Sequence, residues 1–423
     1  MQYWPSICKP SLKPLKRLCR MNPEVLPEHT LPDFEFDYID IGSVFLSEGV
    51  VARERMTFAD APSRARKPVR KGDIIISTVR TYLRAIARIG DEDDGAIVST
   101  GFAVCRAHRG VDPSFLFRVM QSEPFIEQVV ASSTGVSYPA INPSTLGNIT
   151  LPCPDLPTQK AIADFLDRET ARIDQLIEKK QRLLELLQQK NEVESLALVV
   201  GQEHDERRLG KLDWASSLPL HWEERAVWMI FALGRGRVIS HEDIAQSPGP
   251  YPIYSSQTAN DGVLGHIDTF DFEGDYLTWT TDGAKAGTVF RRSGRFNCTN
   301  VCGTLRPLDS RLDLAYFRFA LDRASGFFVR HDINPKLMNG VMAKIRVPFP
   351  PYEEQKAIGG RLTAQQERLT PVREKVAASI GRLREFRAAL ITAAVTGQID
   401  PETWSRRGTT DRRLDQIEAE MGA

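Results

Sequence analysis

Apolar residues recur at steps of three and four along two long stretches of the chain, each of which follows a cluster of prolines. In the first stretch they are Ile162, Leu166, Ile173, Leu176, Leu183, Leu184 and Leu187, and in the second they are Ile358, Leu362, Leu369, Val372, Val376, Ile380, Leu383 and Leu390. This heptad spacing predicts two amphipathic helices, each roughly 60 Å long at ~1.5 Å per residue. Because such a stripe needs an apolar partner, we expect the two helices to pack on each other in antiparallel orientation.

The ends and interruptions of these two helices are also marked in the sequence. Gly201 and Gly397 fall where C-terminal caps are expected. Pro371 lies inside the second pattern and predicts a kink or a restart of the helix. Two independent amphipathic helices, each packed on its own domain, are the alternative arrangement.

The chain repeats itself. Residues 149–202 align with residues 345–398 without a gap, and 16 of the 54 positions are identical, among them a Gln-Lys-Ala-Ile block that begins at Gln159 and at Gln355. Upstream the repeat is weaker: Ile141-Asn142-Pro143 recurs as Ile333-Asn334-Pro335, and Gly72-Asp73 and Gly101 recur at the same spacing as Gly274-Asp275 and Gly303. A duplicated unit with divergent front parts and matched back parts predicts two different binding domains on one common frame.

The divergent front parts have the pattern of compact mixed α/β domains. Strands are predicted at residues 73–79, 96–106, 276–281, 288–292 and 302–306. Helices are predicted from Asp112-Pro113 to residue 130, and from Ser310 and Asp313 to residue 327. The predicted fold class is therefore α/β (mixed α+β), with two such domains separated by two long antiparallel coiled-coil helices in a pseudo-twofold repeat. The predicted boundaries are 1–148 and 206–344 for the domains, 149–205 and 345–405 for the helical segments, and 406–423 for a charged tail.

The net charge of the 423-residue chain is zero, with 55 basic and 55 acidic residues. A nucleic-acid-binding protein of this composition needs locally clustered cations. Residues 61–90 carry eight basic residues and one acid, Asp73, and residues 285–295 carry four basic residues and no acid. Hydroxyl, amide and aromatic side chains lie among them and in residues 251–261, which we predict to be a polar loop. A solvated charged face is the alternative interpretation of these runs.

Cations neutralise phosphates, while Arg, Asn, Gln, Ser and Thr side chains also read base edges. On this basis we predict two groups of DNA-contacting residues, one in each divergent domain. The first group is Lys67, Arg70, Lys71, Thr78, Arg80, Thr81, Tyr82 and Arg84. The second group is Ser255, Gln257, Asn260, Thr281, Lys285, Arg291 and Arg292.

The sequence offers no recognisable catalytic or metal-binding motif. It has no phosphate-binding Gly-x4-Gly-Lys-Ser/Thr loop, and the stretch Phe349-Pro350-Pro351-Tyr352 lacks the polar first residue of an amino-methyltransferase motif. The acidic run 91–95 is explained by turn chemistry. The six cysteines are Cys8, Cys19, Cys105, Cys153, Cys298 and Cys302; their scatter predicts buried thiols rather than a metal set and fits a reducing cytoplasm. The N-terminus shows no signal pattern.

Three stretches resemble conserved regions of one family, the specificity subunits of type I restriction–modification systems. They are Leu-Pro-Thr-Gln-Lys-Ala-Ile-Ala-Asp-Phe-Leu at 156–166, Tyr-Glu-Glu-Gln-Lys-Ala-Ile at 352–358, and Leu-Ile-Thr-Ala-Ala-Val-Thr-Gly-Gln-Ile-Asp at 390–400. The order of variable domain, long helix, variable domain, long helix is similar to that family along nearly the whole chain. Two departures are Pro371 and the weaker match of residues 197–202 compared with residues 393–398.

This resemblance implies a non-catalytic DNA-specificity subunit. Each variable domain would read one half of a bipartite target in double-stranded DNA, about one helical turn or roughly 34 Å apart. The paired helices would set that spacing and bind two modification subunits, which transfer a methyl group from S-adenosylmethionine to adenine N6. Restriction subunits, two where the system has them, would add ATP- and Mg-dependent work. The chain itself would hold no cofactor and would act in a bacterial or archaeal cytoplasm, away from membranes. The alternatives are a coiled-coil protein-interaction scaffold without a DNA role and an enzyme complete in this chain.

Overall fold

The computed structural model describes residues 11–330 and 334–422 and divides into two compact units. The first unit combines Met1–Gln181 with Lys375–Ala423, and the second unit is Arg182–Glu374. Each unit therefore contains one divergent domain together with a part of both long helical segments. No helix in the described part of the chain is long and apolar enough to cross a membrane.

The first unit is built on two four-stranded sheets. Its strands are β1 (Ser11–Pro14), β2 (Cys19–Met21), β3 (Glu35–Ile39), β4 (Val44–Phe45), β5 (Gly49–Val50), β6 (Glu54–Thr57), β7 (Ala65–Pro68), β8 (Ile74–Ser77), β9 (Ile86–Arg88), β10 (Ile97–Ser99), β11 (Phe102–Ala107) and β12 (Thr150–Cys153). The sheet orders are β6-β3-β10-β7 and β2-β11-β8-β9, with the two-stranded ladders β1-β12 and β4-β5 beside them. The predicted strand 73–79 is confirmed, and the predicted strand 96–106 is two strands that separate near Gly101.

Three short helices follow these strands, namely α1 (Pro113–Met120), α2 (Glu123–Ala131) and α3 (Pro143–Asn148). Asp112 caps α1 as predicted, because its Oδ1 accepts a hydrogen bond of 2.9 Å from the backbone N–H of Phe115. The prediction of one helix as far as residue 130 is wrong. Pro124 has no N–H for a continuing helix and its ring would clash with the preceding turn, so the chain starts a new helix there.

The first long helix is α4 (Leu156–Val199). It ends at Gly201, which has a φ of 61°, and the N–H of Gln202 donates to the carbonyl of Ala197 over 2.8 Å. A residue in the left-handed region with this backbone bond is the usual glycine termination of a helix. The predicted cap is confirmed, as is the start of the helix next to the proline cluster.

The second unit repeats the strand arrangement of the first. Its strands are β13 (Arg207–Leu212), β14 (Ala215–Pro219), β15 (Glu223–Ala226), β16 (Phe231–Arg235), β17 (Tyr251–Tyr254), β18 (Val263–Ile267), β19 (Phe272–Glu273), β20 (Tyr276–Thr280), β21 (Val289–Arg292), β22 (Arg295–Cys298), β23 (Cys302–Pro307) and β24 (Arg346–Phe349). The orders are β18-β17-β22-β19 and β16-β23-β20-β21, with the ladders β13-β14 and β15-β24. The three strands predicted in this half are confirmed to within one residue.

The helices of the second unit are α5 (Val227–Ile230), α6 (His241–Gln246), α7 (Leu314–Ser325) and α8 (Asn339–Lys344). The predicted helix before residue 327 is α7, but its cap is Asp313 and not Ser310, since the N–H of Tyr316 donates to Asp313 Oδ1 over 2.7 Å. The stretch 251–261, predicted as a polar loop, begins with β17 and is a loop only beyond it.

The conserved glutamine of the repeat has the same buried role in both units. Gln159 and Gln355 are each 1% exposed. Each side-chain amide donates to a proline carbonyl over 2.8 Å, and each side-chain oxygen accepts from the backbone N–H of a capping aspartate, Asp112 or Asp313. The Gln-Lys-Ala-Ile block thus fixes the start of each long helix to the first turn of α1 or α7.

One part of the predicted repeat is wrong. The N–H of Ile141 donates to the carbonyl of Thr78, and in the second unit the equivalent bond runs from Leu337 to Thr281, both over 2.9 Å. The counterpart of Ile141-Asn142-Pro143 is therefore the stretch 337–339 at the start of α8, four residues beyond the predicted Ile333-Asn334-Pro335. Of that predicted triplet, Ile333 lies outside the described residues.

The second long helix is α9 (Tyr352–Val395), which is followed by α10 (Pro401–Arg406) and α11 (Thr409–Gly422). In the second unit Gln365 Nε2 donates to Glu194 Oε2 over 2.9 Å, and Arg373 Nη2 donates to Gln188 Oε1 over 3.4 Å. Because residue numbers rise along one helix as they fall along the other, the pairing is antiparallel, as predicted. Of the kink or restart predicted at Pro371, the restart is absent, since α9 continues through this residue as one helix.

The segment predicted at 406–423 as a charged tail is packed over its described residues. Ile417 of α11 is 1% exposed, Arg172 pairs with Asp411, and Lys180 Nζ lies 3.5 Å from Glu418 Oε1. An amphipathic helix therefore covers part of the long-helix pair within the first unit.

The prediction that the cysteines are buried thiols is confirmed for the cysteines that the structure describes. The five described cysteines are all buried free thiols, while Cys8 lies outside the described residues.

Candidate nucleic-acid interface

A pair of loops at one end of a sheet carries most of the exposed residues predicted in the first unit. Residues 78–85 connect β8 to β9, and residues 133–140 lie beside them through a bridge between Val79 and Ala140. We call these two segments the first loop pair. The Ile141–Thr78 backbone bond fixes the end of the second segment against the start of the first.

The first loop pair presents a cation stacked on an aromatic ring. Arg80 is exposed, and its guanidinium lies 4.7 Å from the centroid of the Tyr138 ring. Tyr138 itself is 65% exposed, and neighbouring Val136 and Tyr82 also face solvent. The backbone of Arg80 has a φ of 49°, a left-handed conformation that costs energy for a residue with a side chain. This surface combines a cation for phosphate or base edges with aromatic faces for stacking.

Two predicted contact residues in this loop pair hold its shape. Thr78 Oγ1 donates to the carbonyl of Gly101 over 2.8 Å. Thr81 is buried, and its Oγ1 lies 2.8 Å from Ser133 Oγ, which joins the two segments. Their hydroxyls are used inside the protein and position Arg80 and Tyr82. Arg84 is exposed but paired with Glu123 over 2.7 Å.

The second unit has an equivalent loop pair. Residues 281–288 connect β20 to β21, and Asp282 forms a bridge with Lys336 from the segment before α8. We call residues 281–288 and the described residues around Lys336 the second loop pair. Lys285 is exposed on it, and among the described residues no carboxylate pairs with its ammonium group. Thr281 is buried, and its hydroxyl donates to Asp282 Oδ2 over 2.7 Å.

The polar stretch after β17 lies elsewhere in the same unit. Gln257 and Asn260 are exposed, and the Gln257 side-chain amide donates to the carbonyl of Val263. Ser255 Oγ is half-buried and accepts from Thr299 over 3.2 Å. Asn260 has a φ of 50°, in the left-handed region that asparagine tolerates better than most residues.

Arg292 is a buried structural cation. It is 2% exposed, its Nη1 donates to Asp261 Oδ2 over 2.6 Å, and its guanidinium lies 3.6 Å from the Tyr254 ring centroid. Burial raises the pKa of the Tyr254 hydroxyl. Arg292 thus ties the 255–261 stretch to the sheet and does not face solvent, whereas neighbouring Arg291 does.

The cations predicted near β7 are already engaged by the protein. Lys67 Nζ donates to the carbonyls of Thr100 and Phe102, and burial lowers its pKa. Arg70 pairs with Glu24 over 2.8 Å and Lys71 with Asp91 over 2.5 Å. Arg70 and Lys71 remain exposed and would have to exchange these partners to reach a phosphate.

The fifteen predicted residues differ in how accessible they are to a ligand. Thr81, Thr281 and Arg292 are buried, while Lys67, Thr78 and Ser255 are partly buried and already hydrogen-bonded. The exposed residues are Arg70, Lys71, Arg80, Tyr82, Arg84, Gln257, Asn260, Lys285 and Arg291. Sequence reasoning missed Tyr138 and Lys336, although the Gly-Val-Ser-Tyr-Pro stretch at 135–139 has the composition of an exposed aromatic loop.

Comparison with known proteins places both loop pairs in one type of domain. The family profile described as type I restriction modification DNA specificity domain matches residues 61–186 and 219–375. A Mycoplasma pneumoniae protein described as the N-terminus of a type I specificity subunit is 45% identical over 125 residues, which are 29% of this chain and 67% of that protein. Another specificity subunit of that organism is 34% identical over 237 residues, which are 56% of this chain and 88% of the relative.

A solved structure has a similar fold. It comes from work on complex assembly and conformational transition of the type I restriction–modification system, and it superimposes with a TM-score of 0.62 at 23% sequence identity. The superposition covers 92% of this chain and 98% of that one. At this identity the likeness concerns the fold alone.

Proposed function

The chain belongs to the type I restriction–modification DNA specificity family, and from that premise we propose that it reads a bipartite sequence in double-stranded DNA, one half-site with each unit. The observation that carries the proposal is the repeated loop pair. Both units place an exposed cation without a carboxylate partner among the described residues, Arg80 or Lys285, on the loop after the equivalent strand. The surrounding side chains differ, which is what two different half-sites require.

The chain would act without catalysis of its own, as the subunit that carries enzymes to a DNA sequence. The chemistry would belong to two bound modification subunits, which transfer the methyl group of S-adenosylmethionine to adenine N6. Restriction subunits, in systems that have them, would use ATP and Mg. Each of these cofactors would sit in a partner.

The long helices offer a surface for such partners. In the second unit four aliphatic side chains of α4 and α9 face solvent, namely Leu183, Leu186, Val193 and Val372. Exposed apolar side chains on a helix pair are typical of a protein-binding surface. Since the two long helices are repeats of each other and pair antiparallel, they would suit two copies of one modification subunit.

The experiment is co-expression of the chain with the modification subunit of its system in a methylation-free bacterial host, followed by mapping of N6-methyladenine. We expect one split motif with a fixed spacer, and no such motif when the modification subunit is expressed alone. An assembled complex that modifies no split motif would refute DNA reading and favour the protein-interaction scaffold.

A further inference from the structure

Two histidines and a glutamate converge in the second unit, where α4 has ended and α9 begins. His221 Nε2 lies 2.9 Å from Glu354 Oε1, and His204 Nε2 lies 3.5 Å from Glu354 Oε2. One potential ligand atom from each of the three residues lies within 4.8 Å of the other two. The cluster is separate from both loop pairs and has no part in the function proposed above.

The backbone builds this cluster. Gly201 turns the chain after α4, and a Cβ atom at this position would lie 2.7 Å from the Trp222 ring, so only glycine allows the two segments to approach this closely. The N–H of Leu220 donates to the carbonyl of Glu206 over 2.9 Å and joins the same segments. His204 and His221 are consequently held side by side, with ring centroids 5.1 Å apart.

The carboxylate is oriented by a buried donor. Glu354 lies in the first turn of α9, and its Oε2 accepts a hydrogen bond of 2.8 Å from Trp222 Nε1. Trp222 is 2% exposed, so its indole N–H is a fixed group. A hydrogen bond of this kind to a ligating side chain is the usual outer-shell support of a metal site.

The spacing of the three groups fits a metal ion. Zinc binds imidazole nitrogen and carboxylate oxygen at ~2.0–2.2 Å, so neighbouring ligand atoms in a tetrahedron lie about 3.4 Å apart. The separation of His221 Nε2 from Glu354 Oε1 is 2.9 Å and that of His204 Nε2 from Glu354 Oε2 is 3.5 Å, so the two distances lie on either side of this value. Two histidines and one carboxylate leave the fourth position of a tetrahedral ion open.

A hydrogen-bonded cluster without an ion explains the positions of His221 and Trp222, which both make good bonds to the carboxylate. It leaves His204 with a weak contact to the carboxylate, 3.5 Å away, beside edge-on ring contacts with His221 and Trp222. His204 also presents the same ring nitrogen as His221, as two ligands of one ion would.

The internal repeat supplies a comparison. At the shift of 196 residues that relates the long helices, the counterparts of His204 and Glu354 in the first unit are Asp400 and Thr158. Asp400 instead caps α10, since Thr403 N donates to its Oδ2 over 2.9 Å. The first unit therefore has neither the histidine nor the glutamate at the corresponding positions.

We propose that the second unit binds one Zn²⁺ ion through His204 Nε2, His221 Nε2 and the Glu354 carboxylate, with a water molecule or a partner's group in the fourth position. The ion joins the segment after α4, the turn between β14 and β15, and the first turn of α9. It stabilises the junction that joins the long helices to the divergent domain of the second unit.

The test uses the whole chain in complex with its modification subunit, without a histidine tag, after removal of metals with a chelator. Titration with Zn²⁺ against a chromogenic chelator should give one ion per specificity chain in addition to any bound by the modification subunit alone. His204→Gln and His221→Gln should each weaken this binding by at least ~100-fold. His266→Gln is the matched control, because His266 is an exposed histidine of β18 in the same unit and outside the cluster.

Thermal unfolding provides the second readout. Zinc should raise the unfolding temperature of the parent protein and of the His266→Gln variant but not that of the His204→Gln variant. The metal-free His204→Gln protein should unfold at the parent's temperature, since His204 makes little contribution without the ion. Absence of stoichiometric binding, or equal binding by the His204→Gln and His266→Gln variants, would overturn the proposal. Glu354→Gln keeps an acceptor for Trp222 and should also lose the ion.

Discussion

Replacing Arg80 with alanine should weaken DNA binding far more than replacing Arg84, although both changes remove one positive charge from the same loop. The Arg84 guanidinium is 2.7 Å from Glu123 Oε1 and is therefore already neutralised within the protein. Arg80 rests on the exposed ring of Tyr138, and no described carboxylate pairs with it. Arg84→Ala is thus a control matched in charge and position.

The expected magnitude depends on what Arg80 contacts. A bidentate contact to a base is worth ~1–3 kcal/mol, which is about 5- to 150-fold in affinity. A phosphate contact instead reduces the slope of log K against log salt by ~0.9 for all sequences. Arg84→Ala should change affinity by less than ~3-fold, as expected for a charge that is already paired.

The assay is fluorescence anisotropy with the assembled modification complex and a duplex that contains the mapped motif, measured at several salt concentrations. Lys285→Ala is the counterpart in the second unit, and Arg295→Ala is its control, because Arg295 Nε already pairs with Glu273 Oε1 over 2.8 Å. The Arg80 change should relax sequence preference in one half of the motif and the Lys285 change in the other half. Equal effects of Arg80→Ala and Arg84→Ala, or relaxation of the same half-site by Arg80→Ala and Lys285→Ala, would refute the assignment of one loop pair to each half-site.

Three further predictions concern the frame. Gln355→Leu leaves the N–H of Asp313 and the carbonyl of Pro350 without their partner. It should lower the free energy of unfolding, measured by denaturant titration, by about 2–4 kcal/mol. Gln189→Leu, at an exposed position of α4, should leave the free energy of unfolding unchanged. A hydrogen bond from Arg106 holds the pKa of the Glu24 carboxyl below its ordinary 4.5. The ionised carboxylate therefore stabilises the fold above that pH, and this contribution is lost as pH falls through the pKa of the folded state. Glu24→Gln should accordingly flatten the acid side of a curve of unfolding free energy against pH. Inserting seven residues in both long helices adds ~10.5 Å and should lengthen the mapped spacer by about 3 base pairs.

The frame was predictable because its signals are local or repeated. Heptad spacing predicted both long helices, and the glycines predicted where they end. The recurring Gln-Lys-Ala-Ile block marked a real structural equivalence, since Gln159 and Gln355 make the same two buried bonds. The recurrence of the triplet Ile-Asn-Pro did not mark a structural equivalence. The backbone bonds that position Ile141 and Leu337 do not depend on side-chain identity, so the equivalent residues have different sequences.

The contact residues were harder to predict because a run of cations in the sequence says nothing about the acids that folding brings to it. The 61–90 segment contains one acid, yet Arg70 and Arg84 pair with carboxylates from outside that segment, Glu24 and Glu123. Arg292 is removed from solvent in the same way by Asp261 and by two aromatic rings. Local charge density therefore overstates the positive surface of this protein.

The fold leaves fewer cations exposed and unpaired than the basic runs of the sequence suggest. In each unit one unpaired cation remains on the loop after the same strand, Arg80 in the first and Lys285 in the second, while the threonines near it turn inward to hold the loop. The backbone bonds and bridges that fix the loops are shared between the units. The exposed side chains are not shared: one unit has an arginine stacked on Tyr138, and the other has Lys285 without a carboxylate partner among the described residues. Different residues stabilise the loops and contact the ligand. Substitutions at the loop surface can therefore change the DNA sequence that is read while the residues that stabilise the loops stay the same.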